Sequence, residues 1–198
     1  MTHIESSTSH ASIDESDTMN NKRKSQWDTV QAEVQLITDR LGFGVEAGIK
    51  DTVTAFRAYE FTTSQSCEGH EETDGTQGEL FPWVEICAPE PEHFDDSEGG
   101  MRKELEHQWT IENLQQRQNM TNLLSVFYSQ RETPFDARLT FDRIGAFGSF
   151  RVQSFGATII PLLSQEEQHE KLTLYRKEMS DFTDFLKNEF LNTNVITE

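Results

Sequence analysis

Eight consecutive residues, Thr63-Ser-Gln-Ser-Cys-Glu-Gly-His70, bring hydroxyls, a thiol, a carboxylate, a glycine and an imidazole into one short stretch. Three chemistries suit that set. The first is metal binding. Cys67 and His70 are separated by two residues, so a tight turn can aim both at one ion. Cys87 would be a third ligand from a neighbouring strand, and Asp74 or Glu68 a fourth; mixed thiolate and imidazole ligands suit zinc. The second is nucleophilic chemistry by a Cys67–His70 pair. The carboxylates of Glu68, Glu71 and Glu72 disfavour a thiolate there and favour a bound cation. The third is recognition of a polar ligand by Ser64, Ser66 and the amides around Gly69, with Trp83 as a wall and Glu85 beside it. Gly69 permits a positive φ and a close approach of ligand to backbone. The expected site is therefore Ser66, Cys67, Glu68, Gly69, His70, Trp83 and Glu85, with Cys67, His70 and Cys87 as the metal ligands. The plainer alternative makes both cysteines small buried apolar groups, His70 a loop hydrogen-bonding group and Trp83 a core residue.

The surrounding elements must hold this stretch at the end of a strand. Phe61–Ser66 is short and β-prone, and Pro82–Cys87 reads as a better strand between two prolines. Residues 68–80 and 88–100 read as polar loops. Upstream, Ser25 looks like an N-cap with Asp28 three residues on. Trp27, Val30, Val34, Ile37 and Leu41 then repeat at helical spacing, predicting a helix over 26–41 closed by Gly42 and Gly44. Val45, Ile49, Val53 and Phe56 predict a second helix over 45–59. Downstream, 101–131 predicts a long helical region whose buried face shifts, with a break near Asn119. Alternation over 137–144 and 149–155 around Gly145-Ala-Phe-Gly148 predicts a hairpin. Ser164 and Glu167 form a capping box that starts a helix to about Leu191, with Leu172, Tyr175, Met179, Phe182, Leu186 and Phe190 along one stripe. The expected architecture is α+β, a mixed or antiparallel sheet of about four strands packed with four helices. Residues 1–24 read as a disordered acidic, Ser/Thr-rich tail, and 25–198 as a single domain.

The chain has 198 residues and a net charge of -18. No Lys or Arg occurs between Arg57 and Arg102, while residues 58–101 hold twelve acids, a charge equal to two-thirds of the net value. That window repels a phosphate backbone, so direct nucleic-acid binding is not expected. It suits a cation or a basic protein partner, the latter as a nucleic-acid mimic. Two cysteines are too few for a disulfide scaffold. The N-terminus has no apolar run of a secretory signal, and no stretch reaches the ~20 apolar residues that span a bilayer. The expectation is a cytoplasmic protein with reduced thiols and no membrane contact.

The segment 45–87 resembles a set of uncharacterised prokaryotic proteins. They share a helix, a strand bearing Thr-x-x-Ser-Cys-Glu-Gly-His, a polar loop and Pro-Trp-Val/Ile-x-Ile. The residues here are Thr63-Ser-Gln-Ser-Cys-Glu-Gly-His70 and Pro82-Trp-Val-Glu-Ile86. The resemblance implies a site at the motif and no particular reaction. A fainter similarity is to the wybutosine-synthesis family of tRNA-modifying proteins. Ser66-Cys67-x-Gly69 matches its motif, while His70 stands where that family has arginine, so methyl transfer is not carried over.

Overall fold

The computed structural model describes residues 11–71 and 78–192, with side chains from Thr18 onward. Four α-helices run over Ala11–Leu36 (α1), Lys50–Ala58 (α2), Gly99–Ser129 (α3) and Gln165–Asn192 (α4). Four strands run over Thr63–Cys67 (β1), Trp83–Ile86 (β2), Leu139–Arg143 (β3) and Phe150–Ser154 (β4). A 3-10 turn at Phe135–Ala137 precedes β3, and a 3-10 helix at Phe155–Leu162 follows β4. The sheet order is β1-β2-β4-β3, with every neighbouring pair antiparallel. The expected α+β class is the one observed.

Register assigns each side chain to a face, because successive strand residues point to opposite sides. Val84 lies opposite Val152 and Ile86 opposite Phe150, and Phe141 extends the row from β3. This apolar face meets the helices. One continuous cluster joins it to Trp27 and Val34 of α1, Val53 and Phe56 of α2, Met120, Leu124 and Phe127 of α3, and Met179, Phe182 and Leu186 of α4. The other face carries the rows Cys67–Trp83–Gln153–Thr140 and Glu85–Arg151–Asp142. A second, smaller cluster holds Cys67, Phe81, Trp83, Ala137, Ala157, Ile160 and Tyr175.

The capping box forms as expected. Ser164 donates its backbone N–H and its hydroxyl to Glu167 Oε2 at 2.9 and 2.7 Å. The stripe of α4 is buried at Leu172, Tyr175, Met179, Phe182 and Leu186. Its N-terminal half is tied to the 3-10 turn through Asp136. That carboxylate accepts from Lys171 Nζ at 2.5 Å and from Tyr175 Oη at 3.0 Å. Burial, and then the Asp136 carboxylate, push the Tyr175 phenol well above its ordinary pKa.

Several boundaries differ from the expected ones. The first helix ends at Leu36, and Ser25 lies inside it, where its carbonyl accepts from Thr29 Oγ1 at 2.9 Å. Leu41 is exposed in a turn in which Asp39 Oδ1 accepts from the N–H groups of Leu41 and Phe43, both at 2.8 Å. That carboxylate offers the chain a turn in place of further helix. The second helix begins at Lys50, which leaves Glu46 and Gly48 in a loop with their backbone and side chains free to bond elsewhere. Of the expected tail, residues 1–10 lie outside the described residues, and helix α1 starts at Ala11; from Thr18 to Gln26 its side chains are almost all exposed. No break occurs near Asn119. Asn113, Met120, Leu124 and Phe127 are buried at spacings of seven, four and three, so a single face runs through the position of the expected break. Asn113 keeps its polar head satisfied there, accepting from Ala88 N at 2.7 Å and donating to the carbonyls of Trp109 and Phe147 at 3.0 Å.

No described helix is long and apolar enough to cross a membrane.

Phe182 holds α4 in place, with its ring centroid 6.1 Å from Phe56, 5.1 Å from Phe127 and 6.1 Å from Phe185. Phe182→Ala leaves a cavity among rings that cannot collapse. It should lower stability by about 3–5 kcal/mol, read as a reduced urea midpoint at unchanged slope.

Candidate functional site

Strand β1 ends at Cys67, and the chain turns at Gly69 with φ +80°. The glycine is required twice over. A Cβ at this position would lie 2.7 Å from Leu172 Cδ1, 2.8 Å from the Phe81 carbonyl carbon and 3.0 Å from Pro82 N. The close approach expected at Gly69 is therefore made by the protein's own chain and by α4, not by a ligand. Gly48 and Gly78 are equally crowded by the motif. A Cβ at Gly48 would press on Glu68 Oε2 at 2.7 Å, and one at Gly78 would overlap the His70 ring.

The turn is held by distant elements. Arg176 on α4 donates from Nε to Glu68 O at 3.0 Å and from Nη2 to Gly69 O at 2.6 Å. The guanidinium fork thus closes two successive carbonyls of the turn, which a lysine could not do as one rigid group. On the other side, Glu46 from the α1–α2 loop accepts from the Glu68 backbone N–H at 2.7 Å through Oε2. Its Oε1 is 2.7 Å from His70 Nε2. Glu68 returns the contact, since its Oε2 accepts from Gly48 N at 2.6 Å. The His70 backbone N–H donates to Glu79 O at 2.8 Å.

These contacts gather Glu46, Cys67 and His70, one ligand atom from each lying within 4.8 Å of the others. Cys67 is 5 % exposed. Burial pushes its thiol pKa up, and the charges of Glu46 and Glu79 push the same way against the opposing Gly69 N–H, which lies 3.4 Å from Sγ. A thiol held in that state is a poor nucleophile at neutral pH. It remains a ligand, because a coordinating cation displaces the proton. Beside the cluster a cleft of about 110 Å³ is lined by His70, Glu71, Leu80, Gln168, His169 and Leu172, among others. His169 Nδ1 and Glu71 Oε1 are 2.5 Å apart, linking α4 to the chain just beyond the motif.

The remaining expected residues go elsewhere. Cys87 pairs beside Thr62 at the far end of β1, with its N–H on Thr62 O at 3.0 Å. It stands four residues beyond Trp83, the partner of Cys67, or about 13 Å along the strand. Its thiol accepts from Ser149 Oγ at 3.0 Å. Cys87 thus does not converge with Cys67 and His70. Ser66 pairs with Val84 and so shares the opposite face from Cys67. Trp83 is a core residue, 7 % exposed and covered by the Arg151 guanidinium 3.6 Å above its ring. Glu85 accepts from Ser64 Oγ at 2.8 Å and stands 3.9 Å from Arg151 Nη2, away from the turn. Glu68 belongs to the site as a latch on Gly48. Asp74 lies outside the described residues.

Glu46 and Arg176 were not legible as site residues. Each is one of many charged residues, separated from the motif by 17 and 106 positions, and no spacing rule links them to it. Only the loop that α2 leaves at 45–49, where a helix is expected, frees Glu46 to reach the turn.

Gly69→Ala should combine left-handed backbone strain with overpacking against Leu172. A loss of at least about 2 kcal/mol is expected in chemical denaturation. A stability equal to that of the parent would mean that the turn is not built as described.

No protein-family model, no curated protein and no solved structure matches this chain.

Proposed function

We propose that this protein binds a divalent metal ion of the zinc type through Glu46, Cys67 and His70. One observation carries the reading: three donors of the zinc kind meet within 4.8 Å on a turn fixed by Arg176. A tetrahedral zinc ion with ligand distances of about 2.0–2.3 Å keeps its donors roughly 3.3–3.7 Å apart. The 2.7 Å contact of Glu46 with His70 would open slightly and the thiol would close in. Three protein ligands leave a fourth position for water or a small ligand, the pattern of open zinc sites. The adjoining cleft at His70 gives such a molecule a route. The Glu68 amide orients the Glu46 carboxylate, the role that supporting hydrogen bonds play around metals. The free thiols Cys67 and Cys87, too far apart to pair, suit a reducing cytoplasmic setting.

Protein prepared without an affinity tag and exposed to zinc should retain about one equivalent after desalting, measured by elemental analysis. Cobalt substitution should give a thiolate-to-metal charge-transfer band that Cys67→Ser removes. Glu46→Gln should weaken retention. Metal retained by Cys67→Ala combined with His70→Ala would overturn the reading, as would failure of the parent protein to take up any.

A second reading has its own support. Residues 88–98 form an ordered loop rather than a free one. Ala88 is held through its N–H by Asn113 and through its carbonyl by Trp109 Nε1 at 2.8 Å. Phe94 O accepts from Arg102 Nη1 at 2.7 Å, and that guanidinium lies 3.4 Å over the Phe94 ring. On this loop Glu90, Glu92, Asp95, Asp96 and Glu98 are exposed, and none has an ion-pair partner among the described residues. Such a fixed acidic face favours docking of a basic protein segment. Binding of a lysine-rich peptide should fall steeply as ionic strength rises from about 0.1 to about 1 M, where the screening length drops from about 10 to about 3 Å. It should also fall when Glu90, Glu92, Asp95 and Asp96 are replaced by amides. Binding indifferent to salt would sink this reading.

A further inference from the structure

The opposite end of the helical layer holds a second cavity with a different chemistry. Between α1 and the C-terminal turn of α4 lies a groove of about 380 Å³. Its lining includes Lys24, Trp27, Asp28, Lys187 and the amides of Asn21 and Asn192, with Leu191 as an apolar wall. Lys187 is 18 positions beyond His169 on α4, so the groove is about 27 Å from the cleft beside the motif. It has the volume of small-molecule sites, which are about 300–1,000 Å³.

Three polar groups of the groove have no hydrogen-bond acceptor or ion-pair partner among the described residues. Trp27 is 4 % exposed, yet its indole N–H has no acceptor among the described residues. It is also not one of the sealed orphan atoms, which are Trp83 Nε1, Arg151 Nε and Ser154 Oγ. The indole N–H of Trp109, by contrast, is bonded to Ala88 O. Trp27 is thus the tryptophan whose donor is both unbonded and accessible. Lys24 and Lys187 have no ion pair among the described residues, although the chain carries a net charge of -18. Lys187 Nζ instead lies 5.2 Å from the Trp27 ring centroid, held over the indole face. Two lysines, the Trp27 indole and the Asn20, Asn21 and Asn192 amides line a groove in which Asp28 is the single acid.

We propose that this groove binds a small organic anion, a carboxylate or a phosphate monoester with one apolar substituent. The anionic head accepts from the lysine ammonium groups and the Trp27 N–H, and the substituent packs on Leu191. Charge-assisted bonds to ammonium donors are the strong kind. An accessible donor with no acceptor in the protein can exchange its water for a ligand oxygen without breaking an internal bond. Asp28 in the lining disfavours a second negative charge, so a carboxylate head fits better than a phosphate monoester, which is largely dianionic at neutral pH.

The test follows the three indole N–H signals of the ¹⁵N-labelled full chain, with Trp27→Phe identifying the Trp27 peak. Benzoate, phenyl phosphate and inorganic phosphate are the probes, and benzyl alcohol is the neutral control. The Trp27 signal should move saturably with benzoate or phenyl phosphate, while the Trp83 and Trp109 signals stay fixed. The tighter of the two separates carboxylate from phosphate recognition. Inorganic phosphate, lacking the apolar substituent, should bind more weakly. Lys24→Ala with Lys187→Ala should weaken binding about ten-fold or more, with the other two indole signals unchanged as the sign of an intact fold. The proposal is overturned if benzyl alcohol shifts the Trp27 signal as much as the anions do. It is likewise overturned if no anion shifts that signal, or if the double variant binds as well as the parent.

Discussion

Helix α4 has to satisfy two surfaces with one stripe. Leu172, Tyr175, Met179, Phe182 and Leu186 recur at spacings of three and four, so they fall on one side of the helix. The lower part of that stripe, Met179, Phe182 and Leu186, completes the main core against α2, α3 and the sheet. The upper part, Leu172 and Tyr175, reaches the smaller cluster and the turn after β1. Burying this one stripe fixes the position of Arg176, which follows Tyr175 directly. A helix is rigid over this length, so packing at Phe182 sets geometry at Gly69.

The motif turn illustrates how a polar arrangement survives beside a core. Two of its carbonyls are taken by Arg176 and one of its amides by Glu46. The glycines at 48, 69 and 78 leave room for Glu68, Leu172 and His70 to approach. The result is a buried thiol, a largely buried imidazole and a carboxylate in one place. Burial favours the neutral thiol in the absence of a cation, and the nearby acids add to that preference. The same acids attract a cation. One set of charges therefore works against a nucleophile and in favour of a metal.

The polar residues that the fold buries are tied to its geometry in the same way. Glu178 is 3 % exposed and accepts from Tyr128 Oη at 2.8 Å and from Arg131 Nη2 at 2.7 Å. The Tyr128 oxygen in turn accepts from Leu139 N at 2.7 Å. This chain of bonds joins α3, α4 and the start of β3 without leaving a buried charge unpaired, which would be strongly destabilising. Asn113 does the equivalent for the acidic loop. Specific polar contacts thus locate the loops that the apolar core leaves unspecified.

The sequence by itself determined the elements whose signal is local. The capping box at Ser164, the stripe of α4, the hairpin around Gly145–Gly148 and the β2 strand all follow from side-chain period and turn chemistry, and all are found. So was the location of a dense polar turn at residues 67–70. Tertiary structure decided what that turn contains. Cys87, adjacent by strand order, is carried to the far end by antiparallel register. Ser66, adjacent by sequence, is turned to the other face by the pleat. Glu46 and Arg176 enter because helix packing brings their backbones near, and the sequence holds no periodic trace of such contacts. The helix boundaries at 36 and 50 were missed for the same reason. Asp39 and Glu46 find better partners in a turn and in a distant strand end than continued helix offers, and those partners exist only once the chain has folded.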